Sequence, residues 1–227
     1  MIMSSPARRH QMRVRAAETA ASVAPGQSLA GHRHYDLMLA KLGNDRRRLK
    51  EIQSVARKVE VKREVLPEYA AYVDGVLTGG KGAQDDVLTT VMIWRVDVGD
   101  YAGALDIARH ALQHRMTLPE QYERSLPAAV AEEFAEAGNR AAAAGEAFPL
   151  AFLQEVADLT STYDMHDQIR AKLHKALGYA LESSDKLRAL EMLRRAVDLH
   201  DRVGVKKDIT RLEAELRSAA ATAVRTN

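Results

Sequence analysis

From His34 to Leu66 the chain runs without a proline and with Gly43 as its one internal glycine, and Pro67 then supplies a stop. A run rich in Leu, Arg, Lys and Glu that lacks helix breakers has few stable options besides a helix. The spacing predicts one long amphipathic helix of about 20 to 30 residues within 32–67. Leu42, Leu49 and Ala56 fall seven apart, and so do Ile52, Val59 and Leu66, three places later in each heptad. That is an a/d seam through which helices self-associate. Asp45 and Arg63 occupy seam positions, so an ordinary helix packed on its own domain is the competing explanation. Around the helix axis Arg46, Lys50 and Arg57 cluster on one side, with Arg47, Lys58 and Lys62 beside them.

Composition extends the helical expectation to the whole chain. Of 227 residues 46% are hydrophobic and 5% aromatic, which suits one or two helical cores and argues against a β-rich protein. There is no cysteine, so disulfides, thiol catalysis and thiolate metal sites are excluded. No apolar run reaches the roughly 18 residues of a membrane-spanning helix, and no secretory signal precedes the body, so a soluble intracellular protein with no membrane partner is expected. Residues 1–66 carry 14 Lys/Arg against 6 Asp/Glu, and residues 67–227 carry 19 against 25, a division of +8 and −6. An N-terminal third that meets a polyanion and an acidic body with another task follow from that asymmetry.

The expected fold is all-α in four stretches. Residues 1–31 form a flexible basic arm, with a short helix from about Pro6 to Ala24 before the breakers Pro25, Gly26 and Gly31. Residues 32–67 form the basic amphipathic helix for DNA binding and oligomerisation, 68–205 an irregular tetratricopeptide-like body of helical hairpins, and 206–227 a C-terminal helix and tail. The repeat signal is the alignment of Gly99–Leu112 with Ser184–Val197, which superposes Asp100 on Asp185 and Ala104 on Ala189. A third, degenerate hairpin is expected from Pro127 to Ala144 and Pro149 to Thr162.

Few residues suggest catalysis. Asp85 and Asp86 open an apolar run and suit helix capping; the competing role is Mg²⁺ coordination for phosphodiester cleavage, with Asp97, Asp100 or Asp106 as further ligands. His110 and His114 stand at i, i+4 without an accompanying HExxH pattern, in a positively charged stretch that opposes a cation, so no metal site is assigned. The glycines of GGKG, Gly79 to Gly82, lack the spacing of a phosphate-binding loop and read as a flexible hinge, and Trp94 and Tyr179 read as core. The basic third carries the strongest chemistry. Arg8, Arg9, Arg13 and Arg15 on the arm, then Arg46, Arg47, Lys50, Arg57, Lys58 and Lys62 on the helix, offer many phosphate contacts and outnumber the local acids.

Longer strings carry a resemblance: SSPARRH at 4–10, REVLPEYAAYVDGVL at 63–77, GKGAQDDVLTTVMIWRVDVGDYAGALDIARHAL at 80–112, DMHDQIRAKLHKALG at 164–178 and GVKKDITRLEAEL at 204–216. Over nearly its whole length the chain resembles the small terminase subunit of temperate contractile-tailed phages of the peduovirus group. The resemblance implies a protein of the host bacterial cytoplasm that recognises the cohesive-end region of double-stranded phage DNA and delivers it to the large, ATPase subunit. It also implies a ring-like homo-oligomer, which the Leu42–Leu66 seam would serve. Proteins of the family are often labelled the endonuclease subunit; on that alternative Asp85 and Asp86 are the first residues to suspect, Asp97 the next, and Mg²⁺ the cofactor, whereas the recognition role needs none. A protein-binding adaptor built on the helical hairpins is the further alternative. Some relatives continue into a Lys/Arg-rich tail, whereas this chain ends SAAATAVRTN, so DNA contacts are expected in the N-terminal third.

Overall fold

Side-chain caps from Ser5, Ser54, Asp85, Asp100 and Asp185 start five of the helices in the computed structural model, which describes residues 5–225. Residues 1–4 of the expected arm, Ser4 of its SSPARRH string included, and residues 226–227 of the tail lie outside the described residues. Among the described residues there are eleven α-helices and no strand, in two compact units, Met1–Leu126 and Pro127–Asn227.

The first unit contains α1 (Pro6–Ser22), α2 (Arg33–Lys50), α3 (Val55–Val65), a 3₁₀ turn at Leu66–Glu68, α4 (Ala70–Gly79), α5 (Asp86–Val98) and α6 (Tyr101–Gln113). The Ser5 hydroxyl accepts from the Arg8 N–H and Pro6 occupies the first turn, where a missing N–H costs nothing. The sides of α5 that carry Val87, Leu88, Val91, Met92, Ile93, Trp94 and Val96 are all buried. A helix apolar on every side belongs at the centre, and α2, α3 and α6 pack against it. The left-handed Gly99 (φ 86°) ends α5, and Asp100, accepting from the Gly103 N–H at 3.1 Å, starts α6.

Three expectations for this unit are corrected. The described part of the stretch 1–31, expected as a flexible arm, instead packs α1 against α4. The approach is close enough that a Cβ on Gly75 would lie 2.2 Å from the Arg13 carbonyl oxygen, and one on Gly79 2.7 Å from that of Ala17. The single helix expected over 32–67 is two, because the backbone leaves helical form between Glu51 and Ser54, where the Ser54 hydroxyl caps α3 by accepting from the Arg57 N–H. The GGKG hinge is tied down: the Gly82 carbonyl accepts from the Gly26 N–H at 2.8 Å, and Gln84 and Gln27 pair at 2.8 Å. Its glycines leave room for the His110 and His114 rings, 4.6 Å apart and tilted 58° to each other, since a Cβ on Gly82 would lie 2.5 Å from His114 Nδ1.

The second unit contains α7 (Leu126–Ala143), α8 (Leu150–Thr160), α9 (Asp167–Leu181), α10 (Lys186–Leu199) and α11 (Lys206–Arg225). Asp185 caps α10 through the Arg188 N–H at 3.0 Å, as Asp100 caps α6, so the superposed aspartates perform the same task in two α-hairpins. The α9–α10 crossing passes over Gly178, whose missing side chain makes room for Leu193. Leu181, Ala189, Leu190, Leu193, Val205 and Leu212 close the core beneath α11.

Candidate nucleic-acid interface

The corner between α2 and α3 brings together five of the ten expected DNA-binding residues. Arg46, Arg47, Lys50, Lys58 and Lys62 line a groove of about 540 Å³, with Leu49 and Trp94 also in its lining. The break at Glu51–Ser54 makes this possible, because it lets cations from two helices line one groove. Lys62 is held by the Asp97 carboxylate at 2.5 Å, and Arg47 hydrogen-bonds the side-chain carbonyl of Asn44. Arg46, Arg47, Lys50 and Lys58 have no carboxylate within ion-pair distance among the described residues, and no carboxylate lines the groove. Four uncompensated cations around one concavity repel each other unless a polyanion joins them.

The other expected DNA contacts lie elsewhere. Arg57 projects from the first turn of α3 and pairs with Glu60 at 2.6 Å. Arg8, Arg9, Arg13 and Arg15 are exposed along α1, Arg13 donating to His10 Nδ1 at 3.3 Å and Arg15 to His34 Nε2 at 3.0 Å. Burial, then the Arg15 and Arg33 charges, hold His34 below the ordinary histidine range, which favours the neutral ring that accepts from Arg15.

Trp94 was assigned to the core, and 4% exposure with an edge-on Tyr69 ring at 6.1 Å agrees; it is also part of the groove lining. No sequence signal marks that second position, because the residues across the groove are distant in the chain. Asp45, the anomaly in the heptad seam, accepts the Tyr69 hydroxyl at 2.5 Å and the Lys41 ammonium at 2.7 Å. Arg63, the other anomaly, donates to the Val98 carbonyl at 3.4 Å.

The seam itself does not survive the corner. Leu42 and Leu49 are buried within their own unit, Ala56 is exposed, Ile52 is half-buried inside the break itself, and Val59 and Leu66 are half-buried beyond it. These six residues therefore offer no continuous stripe to a second copy.

A magnesium ion poised for phosphodiester cleavage needs several carboxylate oxygens free to converge. Asp85 is fully buried, and its two oxygens accept from the Leu88 N–H at 2.8 Å and the Tyr72 hydroxyl at 2.6 Å. Asp86 accepts from the Gln84 side chain at 2.9 Å, and Asp97 holds Lys62. The residues suspected for cleavage therefore do not fit such an ion, and among the described residues no three His, Asp or Glu side chains gather where they could hold one. Burial pushes Asp85 up to about 6 against the opposing pull of its hydrogen bonds, as capping inside a core requires. Among the described residues no helix is long and apolar enough to cross a membrane.

Comparison with known proteins agrees with the long strings in the sequence. The family described as "Phage small terminase subunit" matches residues 39–168, from within α2 to the start of α9. The chain is 50% identical over 219 residues to the "Terminase, endonuclease subunit" of Escherichia phage P2, covering 95% of this chain and 87% of that protein. It is 24% identical over 215 residues to the "Probable terminase, endonuclease subunit" of Haemophilus phage HP1, covering 88% and 76%. No solved structure matches it. The matched region contains the whole α3 helix and most of α2, and the chain belongs to the phage small terminase subunit family.

Proposed function

We propose that this chain is the DNA-recognition subunit of a phage terminase, and that the α2–α3 groove holds the phosphate backbone of the cohesive-end region while the DNA passes to the large subunit for packaging. The observation that carries this reading is the set of four cations, Arg46, Arg47, Lys50 and Lys58, that no carboxylate neutralises. Phosphates satisfy such a set and release counterions on doing so. Two helices joined by a short connection also resemble a helix-turn-helix, in which the second helix enters the major groove at its N-terminal end. Here that end is Val55, Ala56 and Arg57, all exposed, which supports base contacts by α3 beside phosphate contacts along the groove rim. The tetratricopeptide-like hairpins α5–α6 and α9–α10 supply the docking body for the large subunit, in the host cytoplasm. Ring assembly belongs to the same proposal, through contacts other than the Leu42–Leu66 seam.

The names of the two phage relatives bring a second reading, in which the subunit cuts DNA. The same experiment separates the two. A labelled cohesive-end duplex and a scrambled duplex are titrated into the purified chain, with Mg²⁺ or EDTA, while the fluorescence of Trp94, the single tryptophan, is followed. Recognition predicts preferential binding, a changed Trp94 signal and intact DNA. Arg46→Glu, Lys50→Glu and Lys58→Glu together should weaken binding by at least about 100-fold and lower the slope of log K against log salt by about three. Site-specific cutting that needs Mg²⁺ would establish the second reading, and unchanged affinity in the triple variant would remove the groove from the first.

A further inference from the structure

The second unit holds another basic concavity, which shares no residue with the α2–α3 groove. A cavity of about 550 Å³ opens among α7, α9 and the α10–α11 corner, lined by Arg140 from α7, Lys172 and Lys175 from α9, and His200 and Arg202 from the corner. Its surroundings are not basic: residues 127–227 carry 14 Lys/Arg against 16 Asp/Glu. The cavity therefore concentrates positive charge in a unit that is acidic overall.

One carboxylate, Glu136, stands in the lining, and it is already engaged. It accepts from Lys172 at 2.9 Å and lies 3.9 Å from Arg140, while Glu132 takes the same Lys172 at 2.6 Å. Lys175, His200 and Arg202 have no carboxylate within ion-pair distance among the described residues. The Lys175 ammonium donates to the Val203 carbonyl at 3.0 Å and lies 5.8 Å from the centre of the Tyr179 ring, which holds it at the wall. Donors placed on three separate elements around one cavity suit a tetrahedral oxyanion, since guanidinium forks and an ammonium can each take a different oxygen. The volume is that of a site for a nucleotide-sized ligand.

We propose that this cavity binds a phosphate group, held by Arg140, Lys175 and Arg202. The phosphate comes either from a DNA backbone, which makes the site a second DNA contact, or from a free nucleotide. The inference does not depend on the groove in the first unit, and its test is read on different residues.

The full chain, ¹⁵N-labelled, is titrated with inorganic phosphate, with ATP and with a DNA duplex, following the amides of Gln168, His200 and Arg202. Phosphate should move these amides, and Arg140→Gln with Arg202→Gln, both on exposed side chains, should weaken its binding at least ten-fold while the remaining spectrum stays native. Lys175→Gln gives an independent check with a similar loss. If ATP competes with phosphate and binds more tightly, the source is a nucleotide. If the double variant instead lowers the salt slope of duplex binding by about two, with the Trp94 response kept, the source is DNA. Pocket amides that stay still with all three probes, or a double variant that binds all three as the unchanged chain does, would overturn the proposal. The Arg46, Lys50 and Lys58 variant should retain phosphate binding here, so failure of the groove and failure of the cavity give different results.

Discussion

Asp85 is a carboxyl group sealed from water, and its chemistry follows from that. Burial favours the neutral form and moves it up to about 6, while the Leu88 N–H and the Tyr72 hydroxyl favour the anion and limit the rise. Burial and the Asp85 charge raise Tyr72 well above the ordinary range, so the phenol stays a donor. The folded chain then holds the Asp85 proton more tightly than the unfolded chain, whose value lies near 4. Stability attributable to this group is fully present below about pH 4 and is lost as the pH rises through about 6, a change on the order of 3 kcal/mol. Asp85→Asn keeps an acceptor for the cap and removes the titration. Urea midpoints for the two proteins should therefore diverge in favour of the variant between about pH 4 and 7; parallel curves would mean that Asp85 is charged at no cost. The variant should bind DNA as the parent does, because the side chain faces the core.

At the scale of elements, the crossing of α1 and α4 makes the sharpest demand. Gly75→Ala places a methyl group 2.2 Å from a backbone oxygen of α1, which no side-chain rotation relieves. Such overpacking costs roughly 1–3 kcal/mol, so the variant should melt earlier and lose α1 to trypsin at Arg13 and Arg15. Gly43→Ala is the matched control: nothing lies within 4 Å of its new methyl group, and a helix-interior Gly→Ala change should stabilise by about 0.5–1 kcal/mol. Equal melting of the two variants would mean that α1 is loosely held. Local features were legible in the sequence because their causes are local. Pro6 marked the start of α1, and the aligned Asp100 and Asp185 marked two hairpins. The α2–α3 corner was not legible, since Glu51–Ser54 contains neither glycine nor proline and offers Ser54 as its one stop signal. The heptad spacing is ambiguous for a related reason. Seven residues are nearly two turns of any α-helix, so over two or three heptads a helix packed on its own unit repeats like a coiled coil.

At the scale of the molecule, the charge difference between the N-terminal third and the remainder located the groove, but it hid the cavity in the second unit. Arg140, Lys175 and Arg202 are far apart in a stretch with an acidic balance, and only folding makes them neighbours. Two units with separate cores also predict how the chain unfolds. Trp94 belongs to the first unit, whereas helix content is shared by both. Denaturation followed by tryptophan fluorescence and by far-ultraviolet circular dichroism should give different midpoints, and coincident curves would establish one cooperative unit. The glycine crossing also has a meaning for encounter with DNA. Because α1 is docked, the conformational freedom of its 17 residues is surrendered during folding, at about 1–2 kcal/mol per residue. On the proposed reading its four arginines would meet DNA as a rigid comb, forgoing the wide capture radius of a loose tail while having already given up the freedom that such a tail loses on contact.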